Sequence, residues 1–322
     1  MIRFPRSLAE LPPLSEEAGH QTRAGGTDLM ERRRLRLAPG PLLDLRDLTG
    51  LDTIHWDGGA ARIGSTVRIA QLARDAPLRQ AYPGLCAAAG ALATPQIRAV
   101  ATLGGNLLQA NRCWYFRNPT HRCLKSGGDR CLARGGDHLY HACFDRGPCV
   151  SVHPSTLGMA LLAYEAQVHA HGDPSRSIEA LYGDGRDPRR DHQLPPGALL
   201  THVELPAPLP REQAAYFRTT SRARSEWPLV EVLVRLQLEG DTIRFARVSM
   251  GGVAPVPLRL PAVEAALVGA RDSDETLARA AALARDGAKP LPMTEYKVDL
   301  VEGTVLETLE RARHATPTEE GQ

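Results

Sequence analysis

No apolar run in this chain approaches the roughly 20 residues that a helix needs to cross a bilayer, so a membrane span is not expected. An excess of charge is also missing, with 39 Lys and Arg against 37 Asp and Glu. That balance gives no general pull toward nucleic acid or an anionic membrane surface. The opening residues, MIRFPRSLAELPPLSEEAGHQ, have no apolar core of signal-peptide length and soon turn acidic. The expected compartment is therefore the cytoplasm, and periplasmic export requires a partner that carries the signal. Catalytic motifs are absent as well. There is no nucleophile elbow, no H-E-x-x-H, no Rossmann G-x-G-x-x-G, no Walker lysine loop and no C-x-x-C. The chain carries binding equipment rather than an acid–base set.

What is present is a globular composition, 322 residues with 43% hydrophobic side chains, enough for two or three packed units. The first 50 residues read as a small α/β unit. Residues 53–66 carry a hairpin signature around Asp57-Gly58-Gly59. Helices are expected over Val67–Arg74 and about Gly84–Ala93, the second stopped near Pro95. Residues 111–150 show neither helical nor strand period, and so long an irregular stretch is uncommon unless functional or cross-linked. Helix and strand patterns resume at Thr156. The Pro-rich PAPLPRE at 206–212 reads as a linker. Beyond it, two long strands are expected around Glu239-Gly240-Asp241, then helices at about 260–269, 274–286 and 301–314, with a frayed tail. The chain thus reads as α+β.

Two glycine loops stand out. Ala24-Gly25-Gly26-Thr27-Asp28-Leu29 and Thr102-Leu103-Gly104-Gly105-Asn106 each offer backbone N–H groups unshielded by side chains, equipment that can wrap a diphosphate. Taken singly, each reads equally as a tight turn. The cysteines are more specific. Cys86 sits alone in an alanine-rich stretch and reads as a small core residue. The other five, Cys113, Cys123, Cys131, Cys143 and Cys149, fall within 37 residues. Clustered thiols in a cytosolic chain are more often metal ligands or reactive groups than disulfides. Their gaps of nine, seven, eleven and five residues are wider than zinc sites use. Such spacing suits a four-iron cluster that takes thiolates from separated points, with structural zinc left open. Arg112, Arg117, Arg122, Lys125 and Arg130 either offset a cluster's charge or face solvent. His121, His138, His141 and His153 read as loop histidines that hydrogen-bond or face water.

The order AGGTDL, ATPQIR, TLGGN and SMGGVAP, closing on EYKVDLVEGTVLETL, resembles the FAD-binding subunit of the xanthine dehydrogenase family of molybdenum hydroxylases. The resemblance runs over nearly the whole chain. The cysteine insert is similar to the subgroup whose flavin subunit also holds a 4Fe–4S cluster, the 4-hydroxybenzoyl-CoA reductase beta subunits and the periplasmic aldehyde oxidoreductase flavin subunits. It implies a two-part FAD-binding domain, 1–55 and 56–208, with an iron–sulfur insertion at about 111–150 and an α+β C-terminal domain at 213–316. It implies Cys113, Cys123, Cys131 and Cys149 as cluster ligands, with Cys143 the spare. Ala24, Gly25, Gly26, Thr27, Asp28 and Leu29, with Thr102, Gly104, Gly105 and Asn106, would hold the FAD diphosphate and ribityl chain. Thr94, Ile97 and Arg98 would line the flavin. Thr156 stands where the family often has Asp, and Arg218 where a lysine often approaches the flavin.

The implied role is an electron-transfer subunit. Its partners would be a large molybdopterin-binding subunit and a small subunit with 2Fe–2S clusters, with a ferredoxin-like protein or another acceptor outside. Two rival readings stay open: a free-standing FAD oxidoreductase of the same fold with a zinc insert, and a zinc-stabilised nucleic-acid-binding protein, against which the near-neutral charge argues.

Overall fold

The computed structural model describes residues 1–11 and 19–318. Three sheets organise them. The first is a short parallel sheet of β1 (Ile2–Arg3), β2 (Gln21–Arg23) and β3 (Leu42–Asp44) in the order β1-β3-β2. The central strand, Leu-Leu-Asp, is buried throughout, as a strand flanked on both edges should be. The helix Leu29–Arg34 crosses between β2 and β3.

The second sheet is antiparallel, with β4 (Ile54–Asp57), β5 (Ala60–Gly64), β6 (Gln167–Ala170), β7 (Asp173–Ser177) and β8 (Leu200–Leu205) in the order β4-β5-β8-β6-β7. The Asp57-Gly58-Gly59 turn closes the expected hairpin. The third sheet contains β9 (Gln213–Thr219), β10 (Val230–Glu239), β11 (Thr242–Gly251) and β12 (Leu258–Arg259), in the order β12-β11-β10-β9. Its central pair is the hairpin expected around Glu239-Gly240-Asp241. Helices Pro261–Leu267, Asp274–Ala282 and Tyr296–Arg313 follow.

Several boundaries differ from expectation, each for a local reason. The helix expected over Val67–Arg74 is cut to Ile69–Leu72. Asp75 then starts a new helix, Ala76–Ala81, by accepting the N–H of Leu78. Pro95 begins a helix, Pro95–Val100, as readily as it ends one, because Thr94 caps it and the proline has no N–H to leave unpaired. The second glycine loop is itself a helical turn, Leu103–Leu107, capped by Thr102. The last helix starts at Tyr296, five residues before the expected 301. In the tail, the Thr318 N–H donates to Glu212 O at 2.8 Å, and residues 319–322 lie outside the described residues.

The second and third sheets share one apolar core. All eight residues of the helix Thr156–Ala163 are buried, which is the mark of a helix apolar on every side. It packs between Pro83–Ala91 and the β10–β11 hairpin. Each Leu or Met in it contributes roughly 1.5–3 kcal/mol by leaving water. The 206–212 segment, expected as a linker, is pinned at its end. Glu212 is fully buried, and its carboxylate accepts from Arg235 Nη2 at 2.6 Å and from the Tyr164 hydroxyl at 3.1 Å.

Candidate functional site

A cleft of about 420 Å³ is walled by the first glycine loop, Ser65 and Thr66, the second glycine loop and segment 189–200. In the first loop, a Cβ on Gly25 would lie 1.9 Å from the carbonyl oxygen of Val100, and Gly26 has φ +74°, so neither position accepts a side chain without rearrangement. Among the described residues no acceptor takes the N–H groups of Gly25 through Leu29. The Ser65 and Thr66 hydroxyls are shielded from water and likewise find no hydrogen-bond partner. A buried hydroxyl without a partner costs about 1–3 kcal/mol. Free amides and orphan hydroxyls on one wall therefore call for a ligand rich in oxygen. Arg23, Arg32, Arg189 and Arg190 put positive charge on the same walls.

The second loop contributes differently from expectation. Its amides are already used: Leu103 donates to Val67 O, Gly104 to Ser65 O, Gly105 to the Thr102 hydroxyl and Asn106 to Thr102 O. Its glycines give a ligand room rather than free donors. Asn106 Oδ1 accepts from the Ser155 hydroxyl at 2.8 Å and from the Leu157 N–H, so it fixes the start of the Thr156–Ala163 helix. Asp28 is likewise an anchor, accepting from the Ala110 N–H at 3.0 Å and from Arg117 Nη2 at 2.6 Å. Burial alone would raise its carboxyl, but Arg112 and Arg117 outweigh that and hold it below its ordinary value.

Thr94 caps the neighbouring Pro95–Val100 helix, Ile97 and Arg98 lie on it, and none of the three is among the walls of the cleft. Arg98 is spent on the carbonyls of Leu92 and Ala93, at 2.8 and 2.7 Å. Arg218 is tied to the carbonyls of Ala91, Arg224 and Glu226. Thr156 is buried, and its hydroxyl hydrogen-bonds the Glu231 carboxyl, which also accepts from the Tyr216 hydroxyl at 2.7 Å. Burial raises the pKa of Glu231. Glu231 lines a second cavity of about 400 Å³, where the cysteine insert meets the 221–229 segment, with Trp114, Tyr140 and Trp227 among its walls.

A third, small cavity lies inside the insert. Cys113, Cys123, Cys131 and Cys149 all line it, with His141 and Ser151. Contrary to the lack of pattern in the sequence, the insert has local order, and the thiols organise it. Cys113 precedes the helix Trp114–Arg117, Cys123 the short turn Leu124–Ser126 and Cys131 the short turn Leu132–Gly135. Each is an N-terminal cap, so the following N–H groups point back toward sulfur. The N–H groups of Tyr115 and Phe116 favour the Cys113 anion and those of Ala133 and Arg134 the Cys131 anion without making a capping hydrogen bond, and the Ser151 hydroxyl lies 3.0 Å from Cys149 Sγ. Cys131 is held well below the usual thiol range because the Cys149 thiol and these amides stabilise its anion. Burial pushes Cys113 up to about 11. The neutral ring of His141 places Nε2 at 3.2 Å from Cys113 Sγ, with burial lowering its pKa to about 4.

Cys143 is elsewhere. It is fully buried, its N–H donates to Val253 O, and its carbonyl accepts from Lys289. None of the six cysteines is in a disulfide. Ser65, Thr66 and Glu231 are functional candidates missed in the sequence, and all three became visible only once their surroundings were assembled.

The chain is similar to known proteins over nearly its whole length. Residues 2–208 match the FAD binding domain in molybdopterin dehydrogenase, and residues 215–312 match the CO dehydrogenase flavoprotein C-terminal domain. The chain is 33% identical over 300 residues to the aldehyde oxidoreductase FAD-binding subunit PaoB of Escherichia coli, covering 90% of each chain. It is 25% identical to the carbon monoxide dehydrogenase medium chain of Afipia carboxidovorans, covering 96% of this chain and 95% of that one. In structure it is similar to carbon monoxide dehydrogenase from Hydrogenophaga pseudoflava, with a TM-score of 0.77 and 22% identity over 97% of this chain and 96% of that one. Quinoline 2-oxidoreductase from Pseudomonas putida 86 gives a TM-score of 0.75 at 20% identity, with the same coverage of each chain.

Proposed function

This chain belongs to the family of FAD-binding medium subunits of xanthine dehydrogenase and CO dehydrogenase type, and from that premise we propose that it holds a 4Fe–4S cluster beside its FAD and relays electrons between the two. It is an oxidoreductase flavoprotein subunit of a molybdenum hydroxylase-type complex. The relay would connect 2Fe–2S clusters on a partner subunit with an external acceptor or donor, and the substrate pocket would belong to the molybdopterin-bearing subunit.

The observation that carries the cluster reading is the convergence of Cys113, Cys123, Cys131 and Cys149 on one cavity while Cys143 faces the apolar core. Amides aimed at sulfur favour thiolate over thiol, and hydrogen bonds to cluster sulfurs help set its potential. Free amides from Gly25 to Leu29, with Ser65 and Thr66, would bind the FAD diphosphate region. When bound, FAD exchanges electrons singly or in pairs and an iron–sulfur cluster exchanges them singly. The protein's own part is to grip, orient and shield.

The test is metal and acid-labile sulfide analysis of the complex purified without oxygen, with spectra before and after dithionite. Iron and sulfide near four per chain in excess of the 2Fe–2S content support the proposal. Zinc in place of that iron rejects it. A yellow protein that purifies alone and turns over without molybdenum rejects the subunit role.

A further inference from the structure

A cluster of side chains that lines neither the cavities nor the cleft carries a separate reading. His169 on β6 and His202 on β8 are direct cross-strand partners, and Glu204 follows two residues later on the same face of β8. One ligand-capable atom from each of the three lies within 4.8 Å of the others. The two imidazoles are stacked, with centroids 4.2 Å apart. His169 Nε2 is shielded from water and makes no hydrogen bond of acceptable angle, although Glu204 Oε2 is only 3.2 Å away.

We propose that His169, His202 and Glu204 form a binding site for a zinc-class divalent transition metal, tying β6 to β8 and keeping a coordination position for water. Two ligands of a tetrahedral zinc ion at about 2.0–2.1 Å are roughly 3.3 Å apart. The separation of His169 Nε2 from Glu204 Oε2 matches that figure, and a metal between them satisfies the orphan nitrogen. The tautomer of His202 follows from its neighbour. Arg62 Nη2 can only donate, so at 3.3 Å it makes His202 Nδ1 an acceptor and leaves the ring hydrogen on Nε2, while the Thr201 hydroxyl, 3.0 Å from the same Nδ1, donates to His169 O at 3.1 Å. A metal at His202 Nε2 therefore requires the ring hydrogen to pass to Nδ1, where the Thr201 hydroxyl oxygen would accept it once Arg62 withdraws. Burial, with Arg62 and His169 nearby, lowers the His202 pKa to about 4, so the ring is uncharged at neutral pH.

One group opposes binding. Arg62, on β5, brings Nη2 to 3.3 Å from His202 Nδ1. Its positive charge weakens any cation site beside it, so removing it should strengthen binding. The site shares no residue with the dinucleotide cleft or the thiol cavity, and it stands whether or not those hold FAD and iron.

The test is a calorimetric zinc titration of untagged holoprotein with its iron content verified, read alongside Co²⁺ difference spectra. One added equivalent of zinc is expected. The cobalt spectrum should show weak ligand-field bands without a thiolate charge-transfer band, and the metal should raise the unfolding temperature. His169→Ala and His202→Ala should each weaken binding by about tenfold or more, and Arg62→Ala should retain or strengthen it. Glu204→Gln, which keeps shape, guards against misfolding of the histidine variants and should also weaken binding. FAD content and metal-free unfolding temperature report whether each variant is folded. No saturable uptake by the wild type, unchanged affinity in folded histidine variants, or a thiolate charge-transfer band would overturn the proposal.

Discussion

Asp28 Oδ1 and Arg117 Nη2 lie 2.6 Å apart, and through this largely buried pair the first glycine loop is fastened to the cysteine insert. Arg112 adds a second contact to the same oxygen at 3.2 Å, and Glu31 accepts from both arginines. Removing Arg117 leaves the buried carboxylate only its longer contacts with Arg112 and Arg32, which costs up to about 3 kcal/mol. Arg117→Met should therefore lower the unfolding free energy by about that much and weaken FAD retention, as chemical unfolding and flavin content would show.

The same pair carries a pH signature. The Asp28 carboxyl has a lower pKa folded than its ordinary 3.8, so the contribution is fully present above about pH 4. It is lost as pH falls through the folded value. In Asp28→Asn the acid limb of the stability profile should be shallower than in the wild type below pH 4. An identical acid limb would contradict this.

Gly25 allows the close approach of the first loop to Val100. With a Cβ 1.9 Å from a backbone oxygen, Gly25→Ala must displace the loop itself, not a flexible side chain. Its FAD affinity should drop by about tenfold or more, equivalent to about 1.4 kcal/mol. Flavin release measured by fluorescence after dilution would detect it. Affinity within twofold of wild type would show that the loop's path is not what holds the diphosphate.

The thiols should separate cleanly. On the proposed cluster reading, Cys131→Ser should lose iron while FAD remains, whereas Cys143→Ser should keep both. Iron analysis beside flavin absorbance distinguishes them, and unchanged iron in Cys131→Ser would remove that residue from the ligand set.

Lys297 is buried, and its ammonium donates to Gly252 O at 2.9 Å and Tyr140 O at 3.2 Å, joining the last helix to the insert. Lys297→Met leaves the buried Gly252 carbonyl and the part-buried Tyr140 carbonyl without this donor and should cost about 1–3 kcal/mol at neutral pH. Burial lowers its pKa from 10.5 to about 8, so the unfolded chain binds more protons between those values. The stability of wild type relative to Lys297→Met should accordingly rise from pH 8 to 10.5. A flat difference would refute the shift.

The hairpins around Asp57-Gly58-Gly59 and Glu239-Gly240-Asp241 were legible because turn residues and flanking strand residues are local signals. The first glycine loop was legible for the same reason. What stayed hidden depends on contacts made across the chain. The second loop has the composition of a free donor turn, but Val67 and Ser65 take two of its amides from a distant strand end. Ser65 and Thr66 matter because their hydroxyls are left over after folding, a property no local pattern carries. The short turns that follow three of the cysteines have no helical period, being too brief to show one. His169 was passed over, although H-x-E at 202–204 places two polar side chains on one strand face. Their partner is more than thirty residues earlier in the chain.

The burial of every residue in the Thr156–Ala163 helix has a practical meaning for dissection of the protein. Severing the chain near residue 208 would bare the flank of that helix covered by the β10–β11 hairpin, and a sticky stripe of Leu, Met and Ala would meet solvent. The front piece made alone should clump rather than dissolve. The two matched segments share one core and are expected to stand or fall as one body.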